Sequence, residues 1–251
     1  MFIVFIGASI IGLSLGILGS GGAILTVPML VYGLGYSEKV AIASALVIVG
    51  TISATTALIG IKQNKVNWTL VIYFGGPSML SAYLGAWGSG FFSGSTQIIV
   101  LAIVMLAAAW RMFRSIKVQP PNEMNRLLTI LQGIAVGLLT GFVGVGGGFL
   151  IVPALVLLGG ITMSQAIFTS LVVISINSGS GFIKYHSILQ ENNQLLDWPT
   201  IILISIIGII GSFVGQYYSM KLPQQKIKNA FAVFLSIMAL CMLCQKLLIA
   251  Q

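Results

Sequence analysis

Residues 19–28 read GSGGAILTVP, and residues 144–153 read GVGGGFLIVP. An ungapped offset of about 125 residues aligns the two stretches, and from Gly12 to Ser53 it gives about 17 identities in about 42 positions. Apolar composition alone gives far fewer matches, so the chain contains an internal repeat. In both copies a Gly-rich turn is followed by a short apolar segment with a proline, and the interpretation of the whole sequence starts from this pattern.

The composition is typical of a membrane protein. Hydrophobic residues make up 57% of the 251 residues and charged residues only 6%, whereas soluble domains carry about 25% charged residues. Several apolar runs approach the length that crosses about 30 Å of hydrocarbon, and the alternation typical of strands is absent. We therefore predict an all-α membrane protein, a polytopic helical bundle in contact with the lipid bilayer.

The hydropathy pattern divides into ten segments, five in each half of the chain. The predicted segments are 2–18, 23–35, 40–61, 68–92, 98–113, 127–143, 149–160, 165–183, 198–218 and 229–249. The second and seventh segments, about 12 to 13 residues each, are too short to cross a bilayer alone. Gly75, Gly76 and Pro77 predict a kink in the fourth segment.

The two halves define the predicted domain organisation of one integral membrane domain. Residues 1–113 form the first transmembrane repeat, residues 114–126 form a cytoplasmic linker, and residues 127–251 form the second transmembrane repeat. An odd number of crossings in each repeat would invert the second copy relative to the first. The sequence therefore predicts two inverted repeats.

The positive charges favour five crossings per repeat over four. The net charge is +8, and the basic residues lie in short links between apolar runs, which is typical of cytoplasmic loops rather than of a nucleic-acid interface. Five crossings divide the basic residues about nine to three, and four crossings divide them about eight to four. The side with nine holds Lys62, Lys65, Arg111, Arg114, Lys117, Arg126, Lys221, Lys226 and Lys228, and the other side holds Lys39, Lys184 and Lys246. The prediction places both termini on the outer side.

The paired Gly-rich turns are the predicted substrate site. Short, Gly-interrupted segments at matching positions of inverted repeats indicate a transporter site near the bilayer midplane. A Gly run lets backbone amides converge, and the helix that starts there adds positive potential, so an anion is the expected ligand. The predicted backbone ligands are Gly19, Gly21, Gly22, Gly144, Gly146 and Gly147, and the side chains that complete the shell are Ser44, Thr169, Ser170 and Asn177. The alternative is that these glycines only allow close helix packing.

The ionisable residues give little support to catalysis or cation transport. The four acids, Glu38, Glu123, Glu191 and Asp197, and the single histidine, His186, all fall in predicted links. Cation and proton pathways usually need a carboxylate inside a crossing, and an enzyme needs a buried acid, base or activated nucleophile. Cys241 and Cys244 lie in the last apolar segment, where packing is the more common role. We therefore predict no catalytic residue, no metal and no cofactor.

The Gly19–Pro28 and Gly144–Pro153 stretches resemble the two Gly-rich signatures of the sulfite exporter TauE/SafE family of bacterial membrane transporters. Residues 43–46 (ASAL) and 168–171 (FTSL) resemble the family's small-hydroxyl-Leu segments, and the resemblance covers nearly the whole chain. It implies movement of sulfite, sulfonates or related sulfur compounds across the bacterial inner membrane.

The sequence thus predicts a transporter for a small anion, a sulfur oxyanion or an organosulfonate, that works by alternating access. The alternative from a different class is a membrane scaffold or assembly subunit with no substrate of its own. A membrane-embedded enzyme or a cation carrier that uses unwound-helix carbonyls also stays open. So do the transport direction, the coupling ion and the oligomeric state, a homo-oligomer included.

Overall fold

The computed structural model describes residues 2–19, 21–113, 126–143, 148–157, 161–219 and 221–249, and the regular elements within these ranges are all helical. The helices are α1 Phe2–Leu18, α2 Gly21–Pro28, α3 Glu38–Lys62, α4 Trp68–Leu70, α5 Gly76–Ser89, α6 Gly94–Phe113, α7 Arg126–Val143, α8 Gly148–Leu157, α9 Met163–Glu191, α10 Trp198–Ser219 and α11 Gln224–Ile249. The predicted all-α fold is confirmed. Most of the predicted linker, residues 114–125, lies outside the described ranges.

Within the described ranges, four helices, α3, α7, α9 and α10, are long and apolar enough to cross a membrane by length and composition. Shorter apolar helical stretches occupy Val4–Leu18, Gly22–Gly33 and Ser95–Trp110. Large apolar side chains remain outside the packed core, including Leu80, which is 70% exposed. Because hydrocarbon rather than water can cover such side chains, the architecture is that of a multi-pass membrane protein.

Wide, π-helical turns interrupt two of the helical runs. Val71–Gly75 joins α4 to α5 directly before Gly76 and Pro77, where the sequence predicts a kink. Proline lacks an N–H and its ring clashes with the carbonyl four residues earlier, so the regular hydrogen-bond ladder cannot continue through this point. The second wide turn, Met29–Gly33, follows Pro28 and extends α2.

Helix α9 runs further than the sequence predicts, and it ends at Glu191 rather than at Ile183. The extension is held by Tyr185, Ile188 and Leu189, which are buried at helical spacing. His186 therefore lies within α9 and not in a link, and its ring packs near Phe182 with 5.6 Å between ring centroids. The acids Glu38 and Glu191 likewise mark helix ends, the first of α3 and the last of α9.

Helices α3 and α9, the equivalent long helices of the two repeats, pack against each other in antiparallel orientation. A Cβ added at Gly60 would lie 2.6 Å from Phe168 Cγ, and one added at Gly50 would lie 3.0 Å from Ser178 Cβ. Near the opposite end, a Cβ at Gly181 would lie 3.5 Å from a Leu46 methyl group. Antiparallel packing of equivalent helices is the arrangement expected of inverted repeats; their orientation relative to the bilayer stays a prediction.

The helices that flank this pair are exchanged between the repeats. Helix α1 of the first repeat packs on α10 of the second, and α7 of the second repeat packs on α5 of the first. A Cβ at Gly12 would lie 2.8 Å from Gly208 Cα, and a Cβ at Gly137 would lie 2.7 Å from Ser78 Cα. These two contacts correspond to each other under offsets of about 125 and about 130 residues. Each packed unit therefore contains helices from both halves of the sequence.

Candidate functional site

The first Gly-rich turn lies directly on helix α9. Gly19 has φ +73°, which favours glycine, and its amide donates to Leu15 O at 2.8 Å to close α1. A Cβ at Gly19 would lie 2.9 Å from Ile167 Cα. Ser170 Oγ lies 3.4 Å from Gly19 O and donates at 2.8 Å to Ile167 O in its own helix. The turn and the start of α9 therefore form one contiguous structure.

Around this turn the structure brings together Gly19, Gly21, Gly22 and Ser170, all of which the sequence selects. Gly22 is packed closely, because an added Cβ would overlap Ile11 O and lie 2.8 Å from Leu15 Cγ. The second turn contributes Gly144, Gly146 and Gly147 to the prediction, and these three residues lie outside the described ranges. The short helices that follow the two turns, α2 and α8, contact each other.

Ser44 and Thr169, which occupy equivalent repeat positions, lie toward opposite ends of the antiparallel pair. Thr169 Oγ1 accepts a hydrogen bond of 3.0 Å from Asn67 N, beyond the C-terminal end of α3. Ser44 lies near the N-terminal end of α3, and its buried hydroxyl has no hydrogen-bond partner. At 1.5 Å per residue the two side chains are separated by roughly 20 Å along the pair. They do not line one shell in this structure.

Asn177 occupies the middle of the α3–α9 pair. Its Nδ2 donates to Ser78 Oγ of α5 at 2.6 Å, and its Oδ1 is buried without a partner. Ser53 and Ser178, which the sequence analysis did not select, are also buried with unpartnered hydroxyls. Both are serine at equivalent repeat positions, and this identity between the copies is the signal that could have found them. The centre of the protein therefore contains uncharged hydrogen-bonding groups that the fold itself leaves unsatisfied.

A hydrogen-bonded polar network closes the end of the α3–α9 pair at which α3 begins. Lys39 Nζ donates to Ser89 O at 2.7 Å and to Gln97 Oε1 at 2.9 Å. Gln97 Nε2 donates to Tyr185 OH at 2.7 Å and also to Phe142 O, and Tyr185 OH donates to Phe142 O at 3.0 Å. The network joins helices α3, α5, α6, α7 and α9 directly before the second Gly-rich turn. In the sequence analysis Lys39 counted only as a loop charge.

Outside the long helices, Asp197 links the start of α10 to the first repeat. Its carboxylate accepts from Thr200 N at 3.3 Å, Thr200 Oγ1 at 2.6 Å and Tyr36 OH at 2.6 Å. The hydrogen bonds from Thr200, and then the one from Tyr36, lower the pKa of Asp197 below its usual value. Burial, and then the hydrogen bond to Asp197, raise the pKa of Tyr36.

The lowered pKa of Asp197 predicts that the protein loses a small part of its stability in acid. Because its pKa is lowered by folding, it stabilises the protein above its unfolded pKa of about 3.9, and this contribution is lost as the pH falls through the folded value. Asp197→Asn should flatten the fall in melting temperature between about pH 5 and about pH 2. Since the group is exposed, the effect should stay below about 1 kcal/mol. Melting temperatures that fall by the same amount with decreasing pH in the two proteins would contradict the prediction.

These features define a multi-pass helical membrane protein with a polar, partly unsatisfied centre. Residues 4–242 match the family model described as sulfite exporter TauE/SafE. The chain belongs to the sulfite exporter TauE/SafE family and is a membrane transporter.

Relatives from several organisms carry the same general description. A probable membrane transporter protein of Xylella fastidiosa (strain 9a5c) is 27% identical over 232 residues, which covers 89% of this chain and 87% of the relative. One from Methanocaldococcus jannaschii is 27% identical over 250 residues and covers 93% of both chains. One from Bacillus subtilis is 31% identical over 182 residues and covers 64% of this chain and 69% of the relative. No solved structure matches the chain.

Proposed function

We propose that the protein transports a small anion, a sulfur oxyanion or an organosulfonate, by alternating access around the polar centre of the α3–α9 pair. The observation that carries the proposal is the set of buried groups without protein partners at this centre, namely Ser53 Oγ, Ser178 Oγ and Asn177 Oδ1. The two hydroxyls can donate to an oxyanion without carrying charge, whereas Asn177 Oδ1 can only accept, from a protonated substrate oxygen or from water. Burial of a polar group without a hydrogen-bond partner costs free energy, so in a transporter such groups are expected where a substrate can satisfy them.

The charge distribution favours an anion over a cation. Among the described residues the acids Glu38, Glu191 and Asp197 lie at helix ends or in a loop, and none is in a helix interior. A cation or proton pathway would be expected to place a carboxylate there. The Gly19 turn, with the start of α2 behind it, would add backbone donors at one end of the α3–α9 pair.

The exchanged helices support a particular division of the protein into moving bodies. The contacts of α1 with α10 and of α7 with α5 are too close to separate in each cycle, because added Cβ atoms would reach backbone atoms across both interfaces. We therefore expect the exchanged pairs, rather than the two sequence repeats, to rock against the α3–α9 pair. We also propose that residues 1–113 and 127–251 form inverted repeats that a cytoplasmic linker at 114–126 joins. The protein would lie in the bacterial inner membrane with both termini outside.

The first experiment measures uptake of labelled sulfite into liposomes that contain the purified protein. Sulfate, thiosulfate and sulfoacetate serve as competitors. Saturable uptake that one competitor blocks is the expected result. Each of the four anions is then tested in labelled form. If the protein is folded and none of the four enters faster than in empty liposomes, the proposal is overturned and the scaffold alternative is favoured.

The double variant Ser53→Ala/Ser178→Ala tests the site itself. Neither hydroxyl has a protein partner, so their removal should leave the melting temperature unchanged or slightly higher. Loss of hydrogen bonds to a charged substrate should lower uptake by about tenfold or more. Ser9→Ala is the matched control, because that hydroxyl donates 2.8 Å to Phe5 O of its own helix. Equal uptake by the double variant and the wild type would remove these serines from the site.

A further inference from the structure

A cavity of about 160 Å³ opens between the start of α9, the end of α10 and the loop after α3. This is roughly ten times the volume that one ordered water needs. It lies at the end of the α3–α9 pair that carries the first Gly-rich turn, because its wall residue Ile167 also touches Gly19. The residues that line it are Lys65, Ser164, Ile167, Phe168, Gln216, Ser219, Leu222 and Ile227.

The strongest indication of a ligand is the side chain of Gln216. It is only 1% exposed, and neither Nε2 nor Oε1 has a hydrogen-bond partner. A fully buried amide without partners is rare and costly, so each such group needs an explanation. The other buried glutamine, Gln97, bonds to Lys39, Tyr185 and Phe142 in the network at the opposite end. Gln216 is instead one of the residues that line the cavity.

The charge of the cavity wall is positive. Lys65 is half-buried, with Nζ 5.4 Å from the centroid of the Phe168 ring, and the residues that line the cavity include no acid. Ser164 is the second residue of α9, so the positive end of a 29-residue helix points to this place. Ser219 Oγ donates 3.0 Å to Ile17 O, so its hydrogen is not available to an anion. The donors left to the cavity are the Lys65 ammonium, the Gln216 amide N–H and the Ser164 hydroxyl, from three different elements, and donors of this kind suit an anion rather than a cation.

The repeat symmetry explains why the cavity is open. Ser219 is equivalent to Ser89, and Ser164 is equivalent to Lys39, under the offsets of about 130 and about 125 residues. In the first repeat the ammonium of Lys39 fills the corresponding place and donates to Ser89 O and Gln97. In the second repeat a serine replaces that lysine. The ammonium of Lys39 therefore fills the position at one end of the α3–α9 pair. At the opposite end the equivalent position is a cavity that can accept an ion.

We propose that this cavity binds a small oxyanion of four or five heavy atoms, with Lys65 and Gln216 as the ligands that decide its affinity. The inference rests on the proposed transport function and adds a second binding position, beside the first Gly-rich turn. A sulfur oxyanion in solution and the phosphate of a lipid headgroup share this chemistry. The two sources are separated by measuring binding with and without lipid.

The test is calorimetric titration of sulfite, and separately of sulfate, into protein purified in a neutral detergent. Wild type should bind at least one of the two ions, and Lys65→Met and Gln216→Leu should each weaken that binding by about tenfold or more. Lys62→Met is the matched control, since Lys62 is exposed at the end of α3 and does not line the cavity. Gln216→Leu removes no hydrogen bond within the protein, so its melting temperature should not fall.

The outcomes separate this inference from the proposed function. Unchanged affinity and unchanged uptake in Lys65→Met and Gln216→Leu, with uptake still lost in Ser53→Ala/Ser178→Ala, would overturn the cavity site and leave transport standing. Failure of the wild type to bind or transport any of the anions would overturn both. Binding to wild type that is lost when phosphatidylglycerol is added, and returns when it is removed, would assign the site to a lipid phosphate and overturn the solute site.

Discussion

Replacement of Gly141 by valine is expected to abolish the folded protein. Gly141 lies in α7, and a Cβ added there would overlap Ala82 O and lie 2.6 Å from the Ala82 carbonyl carbon. The obstacle is backbone of α5, which cannot rotate away as a side chain can. Overpacking of this kind typically costs about 1–3 kcal/mol when side chains relax, and a backbone clash should exceed about 4 kcal/mol.

The measurement is the yield and melting temperature of the variant in detergent, by size-exclusion chromatography with fluorescence detection. The control is Gly179→Val, because Gly179 is exposed within α9 and an added Cβ would meet no atom within 4 Å. The control should melt within a few degrees of wild type, since valine has a better helix propensity than glycine. A wild-type melting temperature for Gly141→Val would show that α5 and α7 are not packed as described.

Gly141 also shows where the sequence analysis was incomplete. The packing role, which was the alternative for the turn glycines, is filled in this structure by Gly22 and also by glycines outside the turns, namely Gly12, Gly16, Gly137 and Gly141. All four lie in helices α1 and α7, and the same offset of about 125 residues relates them in pairs. Their identity in both copies was visible in the sequence. What they pack against was not, because in an apolar chain every helix face is nearly equally suited to burial.

The order of the helices, by contrast, follows almost directly from the sequence. The apolar runs set the helix positions, and Gly-Gly-Pro at 75–77 marks the place where a wide turn interrupts the fourth segment. The error at α9 has a physical cause. Polar residues after Ile183 suggested a link, whereas buried Tyr185 and Leu189 on the opposite face keep the helix packed to Glu191.

The candidate site was harder to predict because equivalence in sequence does not mean proximity in space. In an antiparallel pair of equivalent helices, equivalent residues approach each other only near the point where the helices cross. Gly50 contacts Ser178, so Ser53 and Ser178 lie within about one helical turn of each other along the pair. Ser44 and Thr169 are far from the crossing point and therefore lie far from each other. With the antiparallel geometry in hand, the duplicated serine at 53 and 178 becomes the stronger candidate.

Replacement of Gln97 by leucine is expected to lower the free energy of unfolding by about 3 kcal/mol and the melting temperature by about 10 °C. Gln97 is fully buried and is the centre of the network, since it accepts from Lys39 and donates to Tyr185 and Phe142. Leucine fills a similar volume but leaves the ammonium of Lys39 with one acceptor fewer. The loss should therefore come from unsatisfied polar groups rather than from a cavity.

A double-mutant cycle with Lys39→Met tests that explanation, with melting temperature and chemical denaturation as readouts. If the two side chains stabilise the protein through their mutual hydrogen bond, Lys39→Met should cost less in the Gln97→Leu background than in the wild type. Strictly additive losses would show that Gln97 does not stabilise the protein through its hydrogen bond with Lys39. Gln225→Leu is the matched control, because that glutamine is exposed and bonds only to Asn229 within its own helix.

The same cycle bears on transport, because the Lys39 network and the Lys65 cavity occupy opposite ends of one helix pair. The network joins five helices around the ammonium of Lys39, whereas Lys65 and the unpartnered amide of Gln216 line the cavity that we propose as an anion site. In the proposed alternating-access mechanism the end closed by the network must open, so Gln97→Leu should lower the free energy of that opening. At a temperature where the variant remains folded, it should raise the rate of sulfite uptake or leave it unchanged. A parallel fall in uptake and stability would instead mean that the network holds the fold and has no part in gating.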